Sequence, residues 1–546
     1  MNRNPTLQRL CLMLAACSAF GAAARDIPAT QTTPANPALA EGVCALTHCD
    51  GYQTGALPVR GPQGGSRLLS DREIDLLWES PISAGAFDRR YPDGTQVLWL
   101  SKVDRVEKLT LKNNTLTLLR ELRLPTDKFP YYSGEDMQRI VAELDRHTPD
   151  SVEFKRLAAP WKGYETEAIR AFYGALSRDG TLYTGGRDRV LAYGDQIPGQ
   201  ADSPIVAKGE LVFDPARMNK AMPVPLPIII GFNALHDGHL AIVSMDGTLI
   251  VVSPDLKQAH YYRIGDEVIW NGLSVDEKGG IYFAGSKKLH KVVWKDGRIS
   301  DRPEDGAWTE AYEIGPRDKT HRGSRGTGTT PVLMGGPKDR DRFVIITDAA
   351  DVNNAVLYWR DEIPADWKQL PGTSSRRVAG KLPVDFGDPK RVESYSENAA
   401  AVLGYGAVLG DNRPRTGESL TLDVVLRLTD PALTPLGLQK FRWDPKQRRF
   451  LRDWVRADVS SPSSTPAISA RDGGLHLGTI ADGQWAWLSL DWATGKTLGL
   501  YRLGPSQRYN PAYIAVQLLP NGDPLYAGFG GTVHLRIGNA GPGRRP

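Results

Sequence analysis

The chain has 546 residues, 41% hydrophobic and 24% charged, with 67 Lys and Arg against 63 Asp and Glu for a formal net charge of +4. That length and apolar content admit several small domains or one large repeat architecture, and 56 Gly with 39 Pro argue against long helices. The near-balanced charge, with no Lys/Arg run and no interleaving of aromatic with basic residues, speaks against a nucleic-acid binder.

In chain order, the first element is a leader. MNRNPTLQRL carries Arg3 and Arg9, and CLMLAACSAFGAAA adds an apolar core ending in small residues. This predicts a secretory signal over 1–24, cleaved after Ala24, and a periplasmic or secreted protein. The LAAC of Leu14–Cys17 also has the form of a bacterial lipoprotein box, in which Cys17 would carry a lipid anchor. No later segment has the roughly 18 consecutive apolar residues of a membrane span. Cleavage at Ala24 leaves Cys44 and Cys49, in GVCALTHCDG, and an oxidising compartment predicts a disulfide between them. There is no C-x-x-C-H for haem and no second cysteine pair for zinc. Residues 25–65, rich in Pro, Thr and Ala at their start, read as a tether holding that local bridge. Residues 541–546 read as a disordered tail.

Two helices are expected ahead of the repeats. SDRE, starting at Ser70, is a capping box and predicts a short helix over 70–78. SGEDMQRIVAELDRH, 133–147, places Met137, Ile140, Val141 and Leu144 on one stripe and predicts an amphipathic helix, inserted against a β scaffold.

Most of 66–540 repeats one pattern: an apolar strand, a turn with Gly or Asp-Gly, a second strand, a third and sometimes a fourth. GALSRDGTLYTGGRDRVLAYGD (174–195), NALHDGHLAIVSMDGTLIVVSPD (233–255) and PAISARDGGLHLGTIADGQWAWLSLDWATGKT (466–497) share that order. Asp-Gly accepts positive φ and suits hairpin turns. Self-similarity at this period signals a repeat fold, and up-and-down antiparallel repeats close best as a β-propeller. The expected fold is all-β, a single propeller with short helical insertions. Eight units can be counted, so eight blades are favoured and seven is the runner-up.

WNGLSVDEKGGIYFAGS (270–286) resembles the repeat of the SMP-30/gluconolactonase/strictosidine-synthase-like propellers, in which N-G-L precedes a DxxGxxYxxxS hairpin. The resemblance implies a six-bladed propeller whose enzymes hold a central divalent metal with Asn, Asp and Glu side chains. It matches Asn271 to the metal-binding Asn.

The first residues of each inner strand converge at one mouth of a propeller. Aligned on their turns, the repeats place Asn233, Asn271, Thr330, Asn398 and Thr465 at or near that position, with Glu397 beside Asn398 and Asn510 near the last unit. Oxygen donors from several blades suit a hard cation such as Ca²⁺ or Mg²⁺. Asn and Thr before a strand also bond to their own turns, which gives a purely structural polar ring. HRGSRGTGTTP (321–331) offers backbone N–H groups with Arg322 and Arg325 to an anion, or is a plain connection. Glu393 and Glu397 in ESYSEN, and Asp348, Asp351 and Asn353 in TDAADVNN, are further candidate ligands or, respectively, rim charges and an Asx-rich turn. His236, His239, His290, His476 and His534 fall at different depths of their units, which argues against a four-His iron site. G-x-S-x-G, H-E-x-x-H and nucleotide fingerprints are lacking. The sequence therefore supports an exported propeller that binds a small molecule or protein on one face or at its channel. The alternative is a metal-dependent hydrolase of the lactonase or esterase type, its cation polarising a carbonyl.

Overall fold

The structure, a computed structural model, describes residues 33–125, 129–164, 172–219, 228–316, 325–512 and 514–538. Antiparallel sheets follow one another along the chain. The latter half of Ile74–Arg90 pairs with Gln96–Lys102, then Arg105–Lys112 and Thr115–Arg123. Gly174–Leu176, Leu182–Gly185, Arg189–Asp195 and Ile205–Val212 make the next sheet, and Ile229–Ala234, Leu240–Ser244, Thr248–Val252 and Ala259–Arg263 the one after. Ile269–Val275, Gly280–Gly285, Lys288–Lys295 and Arg298–Ser300 follow, with Trp308–Ala311 also on Lys288–Lys295. Val332–Met334 starts a further four-stranded sheet, as does Ala401–Leu403. Ala467–Ser469 to Thr497–Gly504 forms the next, flanked by Ala56–Leu57 and Ser66–Leu68. The first strands of successive sheets abut one another, which makes a ring: the chain is a β-propeller.

The ring closes with strands from both ends of the chain. Pro524–Leu535 pairs with Gln517–Leu518 on one side and with the first half of Ile74–Arg90 on the other, Ile74 opposite Leu535 and Trp78 opposite Gly531. The helix expected over 70–78 is therefore absent. Ser70 and Glu73 do bond as a capping pair, with Ser70 N–H donating to Glu73 Oε2 at 3.0 Å, but they close a turn. The chain then enters the strand, because pairing with the C-terminal strand outweighs a local cap signal.

Sheet-on-sheet packing explains the apolar runs. Every residue of Leu240–Ser244 and Thr248–Val252 is buried, since both faces of a central blade strand are covered. Gly279, in the turn of the 270–286 repeat, has φ 83° and a Cβ there would lie 2.4 Å from the Trp294 carbonyl oxygen, so only glycine fits. Side chains pin neighbouring sheets together near their rims. Tyr91 Oη donates to Asp195 at 2.8 Å, Tyr183 Oη to the Pro254 carbonyl at 2.7 Å, Trp294 Nε1 to Asp237 at 2.8 Å and Trp443 Nε1 to Asp341 at 2.9 Å.

The expected amphipathic helix is α1, Gly134–Leu144, capped by Ser133 and Asp136 and burying Met137, Val141 and Leu144. A second helix, α2 (Val152–Ala158), was not expected. Gly134 lets α1 come down on the ring, because a Cβ there would meet the Trp78 carbonyl oxygen at 2.7 Å. Trp161, after α2, packs edge-on against Phe529 at 5.1 Å.

The N-terminal segment departs most from the sequence reading. Cys44 and Cys49 are bridged, with S–S 2.00 Å, but the chain around them is not a tether. Residues 44–48 and 51–55 are buried. Asp88 N–H donates to the Cys44 carbonyl at 2.8 Å and Leu176 N–H to Ala45 at 2.8 Å. Val275, Leu333, Val402 and Ile468 donate in turn to the carbonyls of Gly51, Tyr52, Thr54 and Gly55, at 2.8 to 3.1 Å. The segment thus runs along the C-terminal ends of the inner strands, taking up main-chain donors that would otherwise be left unpaired. Tyr52 anchors it, donating to Glu277 at 2.6 Å with the Arg360 guanidinium 4.9 Å from its ring centre.

Candidate functional site

The opposite end of the ring gathers the starts of the inner strands. The ladder between Ile269–Val275 and Gly280–Gly285 is interrupted between Ile269 and Leu273, which frees Asn271 and Gly272 from the sheet. Asn271 Oδ1 accepts from Thr330 Oγ1 at 2.6 Å, from Gly272 N–H at 2.8 Å and from Tyr173 Oη at 3.1 Å. Its Nδ2 donates to the carbonyls of Gly328 and of Glu397, the latter at 3.1 Å. One side chain therefore joins segments next to four different inner strands of the ring. Thr330, nearly fully buried, also accepts from Gly272 N–H at 3.1 Å.

Asn271, Thr330 and Glu397 are thus brought together as the sequence alignment of the repeats suggested. The other residues are placed apart. Asn233 lies at the end held by the N-terminal segment, its Nδ2 donating to the Gly51 and Leu273 carbonyls at 3.1 Å each. Asn398 Nδ2 donates to the Ser464 carbonyl at 3.2 Å, and its main-chain N–H, like that of Glu397, goes to Asn412 Oδ1. Thr465 pairs through its main chain with Ala515. Asn510 is buried, donating to the Val425 carbonyl at 3.2 Å and to Gln507 at 3.1 Å. Arg325 is exposed, and Arg322 lies outside the described residues.

The remaining candidates have structural partners. Asp348 accepts from Asn354 N–H at 2.8 Å and from Asn354 Nδ2 at 2.7 Å, and burial pushes its carboxyl up to about 6. Asn353 Nδ2 donates to the Asp348 carbonyl at 2.6 Å and its Oδ1 accepts from Ser396 N–H at 3.1 Å, so 348–354 is an Asx-rich turn. Glu393 pairs with Arg413 at 2.7 Å. The histidines do not converge: His476 bonds Ser489 at 2.9 Å, His290 lies 3.4 Å from Glu267, and His534 sits between two aspartates at the ring closure. Among the described residues, no group of three or more His, Cys, Asp and Glu is arranged to hold a metal.

Two further residues at the mouth were not among the sequence candidates. Tyr173, just before its inner strand, is buried, and burial followed by the Glu397 carboxylate pushes its hydroxyl well above the ordinary range. It stays a proton donor to Asn271. Asn412 collects the N–H groups of Glu397 and Asn398 from within a long connection. Only Tyr173 occupies the aligned start position and could have been found by extending the alignment to the 174–195 repeat.

No helix among the described residues is long and apolar enough to cross a membrane. No family model matches the chain. A protein of Archaeoglobus fulgidus described as uncharacterised is 28% identical over 516 residues, which cover 91% of this chain and 87% of that protein. Among solved structures, quinohemoprotein alcohol dehydrogenase from Comamonas testosteroni is similar with a TM-score of 0.48 and 11% identity, over 94% of this chain and 82% of that one. BamB from Moraxella catarrhalis gives 0.38 and 11%, over 65% and 93%. Sqt1 of Saccharomyces cerevisiae gives 0.38 and 11%, over 66% and 80%.

Proposed function

We propose that this chain is an exported binding propeller, which recognises a small molecule or a protein on the face opposite its buried N-terminal segment. The observation that carries this reading is the state of Asn271. Its oxygen accepts three hydrogen bonds and its nitrogen donates two, all within the protein. An amide committed in this way is a clasp between blades, and a cation would have to displace its partners. The far end of the ring is taken up by residues 44–57, which leaves the mouth near Asn271 and the insertion beside it as the free face. Ligand sites are usually cavities of about 300 to 1,000 Å³. The insertion supplies one of 650 Å³, lined by Phe129, Tyr131, Tyr132, Ile140, Leu157 and Trp161 among others. The abutting succession of inner strands, with Ile514–Ala515 as the last start, supports eight blades over seven.

The second reading is the metal-dependent hydrolase, of the type that the N-G-L resemblance implies. It is favoured by the Glu397 carboxylate, whose charge reaches Tyr173 at the same mouth. Elemental analysis of the wild type and of Asn271→Ala separates the two. The binding reading expects no stoichiometric Ca, Mg, Mn or Zn in either protein. It also expects Asn271→Ala to cost about 1–3 kcal/mol, since the partners of the amide lose it in a half-buried place. Stoichiometric metal in the wild type that is lost from the variant would establish the hydrolase reading instead.

Export is supported by the leader and by the Cys44–Cys49 bridge, which suits an oxidising compartment. Intact-mass measurement of the mature protein should give a chain starting at Arg25, two hydrogens lighter than its reduced form. A chain retaining Met1 would refute export by cleavage, and a diacylated Cys17 would establish the lipid anchor.

A further inference from the structure

His534 is fully buried at the seam where the two ends of the chain complete the ring. Its Nε2 lies 3.0 Å from Asp523 Oδ2 and its Nδ1 3.4 Å from Asp75 Oδ2. Asp75 belongs to the N-terminal strand of the seam, directly opposite His534 in the ladder. Asp523 lies in the turn that leads into the C-terminal strand, between Leu518 and Pro524. Both ring nitrogens therefore face carboxylates, and both can donate only if the ring is doubly protonated. Arg536 is the other cation here, 3.3 Å from Asp75. The remaining partners are uncharged: Asn521 and Asn114 donate to Asp523 at 2.8 and 3.3 Å, and Leu116 and Gly538 N–H groups donate to Asp75 and Asp523.

We propose that His534 is a pH-operated clasp on ring closure, holding the N-terminal strand to the C-terminal turn while it is an imidazolium and loosening that seam when it loses a proton. A neutral ring has one N–H. It can serve one aspartate, and the other, whether the buried Asp523 or the partly buried Asp75, is left with one donor fewer.

The direction of the effect follows from the groups present. Burial opposes charge on His534, but its bonds to Asp523 and Asp75 outweigh burial and raise its proton affinity above the ordinary 6.5. Its contribution is full below pH 6.5 and is lost as pH rises through the raised value of the folded state. Burial raises Asp75 and Asp523, but their hydrogen bonds and nearby cations outweigh it and hold both below the ordinary 3.8. Their contribution is full above pH 3.8 and is lost as pH falls through their lower values. The seam is tightest between those limits.

The test is hydrogen exchange of the wild-type mature chain at pH 6 and pH 8.5, corrected for the intrinsic rate. Amides of 74–78 and 531–535 should lose protection by about tenfold at pH 8.5, within the range expected when a carboxylate in such a site loses one donor. Those of 240–252 should not change. Equal protection of the seam at both values would overturn the proposal. In His534→Gln the seam should already be loose at pH 6 and should show no further change by pH 8.5. A variant that keeps the wild-type pH profile would equally overturn it, and if the variant does not fold, the wild-type measurement still decides.

Discussion

Lys102→Met should lower stability at pH 7 by about 3–5 kcal/mol, the range for removing one partner of a buried ion pair. Lys102 is fully buried and pairs with both Glu79 and Glu107, themselves buried, while Thr532 Oγ1 donates to Glu79 at 3.0 Å. Glu79 lies where the chain crosses from the closing strand to the first inner strand, and Lys102 ends the strand next to it. Burial, together with the charge of Glu79, outweighs Lys102 and pushes the Glu107 carboxyl up to about 8. Methionine fills most of the lysine volume and removes the cation that both acids contact, leaving Arg105 3.7 Å from Glu107. Burial should then favour the protonated form of Glu107 still more strongly. The sign is that of an acid whose folded-state value is raised: its contribution is present below the unfolded value near 4.5 and lost as pH rises. Urea unfolding at pH 5, 7 and 8 should show the deficit of the variant growing with pH. A deficit that is constant, or that shrinks as pH rises, would show that the cluster is not held by this charge balance.

Trp443→Ala should cost a similar amount, about 3–5 kcal/mol, through lost packing rather than charge. Its ring lies 4.8 Å from Phe343, 5.7 Å from Trp359 and 6.0 Å from Trp367, between two neighbouring blades. Its Nε1 also donates to Asp341, which is buried. Trp443→Phe separates the two parts. It keeps an aromatic ring in the cluster and removes the N–H, and should cost about 1–3 kcal/mol, the penalty for a buried acceptor that loses its donor. If Trp443→Phe is as damaging as Trp443→Ala under chemical denaturation, the bond dominates and the packing account fails.

The propeller was legible because its blades bury both faces of their central strands. Runs such as LAIVS and TLIVV, separated by Asp-Gly, record that burial directly. Helix α1 was legible because Met137, Val141 and Leu144, which it buries, recur on one stripe of the sequence. The N-terminal segment was not, since Gly51, Tyr52, Thr54 and Gly55 join the ring through main-chain carbonyls, which leave no pattern in side chains. The strand over 74–78 was misread for a related reason: its partner lies at the far end of the chain, and a local cap signal was the only one at hand. At the mouth, the start-of-strand alignment found Asn271 and Thr330 but not their role. An amide that ties blades together and one that holds a cation are the same residue in the same place, and only their partners distinguish them.

The closing strand also sets a schedule. Trp78 leaves the ribosome roughly 450 residues before Gly531, its partner in the ladder, and at about 5–20 residues per second that is an interval of roughly 20–90 s. Through that interval the strand 74–78 has an open edge that any other extended chain can occupy. Its inward neighbours are no better protected, because the main-chain donors along the lumen wait on residues 44–57 to stay in place as each new blade arrives. A cell making this protein must therefore either keep the nascent chain apart from its siblings or move it unfolded to the place where its last strand is delivered, and the yield of monomer should fall with expression rate more steeply than for a protein whose N-terminal strands pair with their immediate successors.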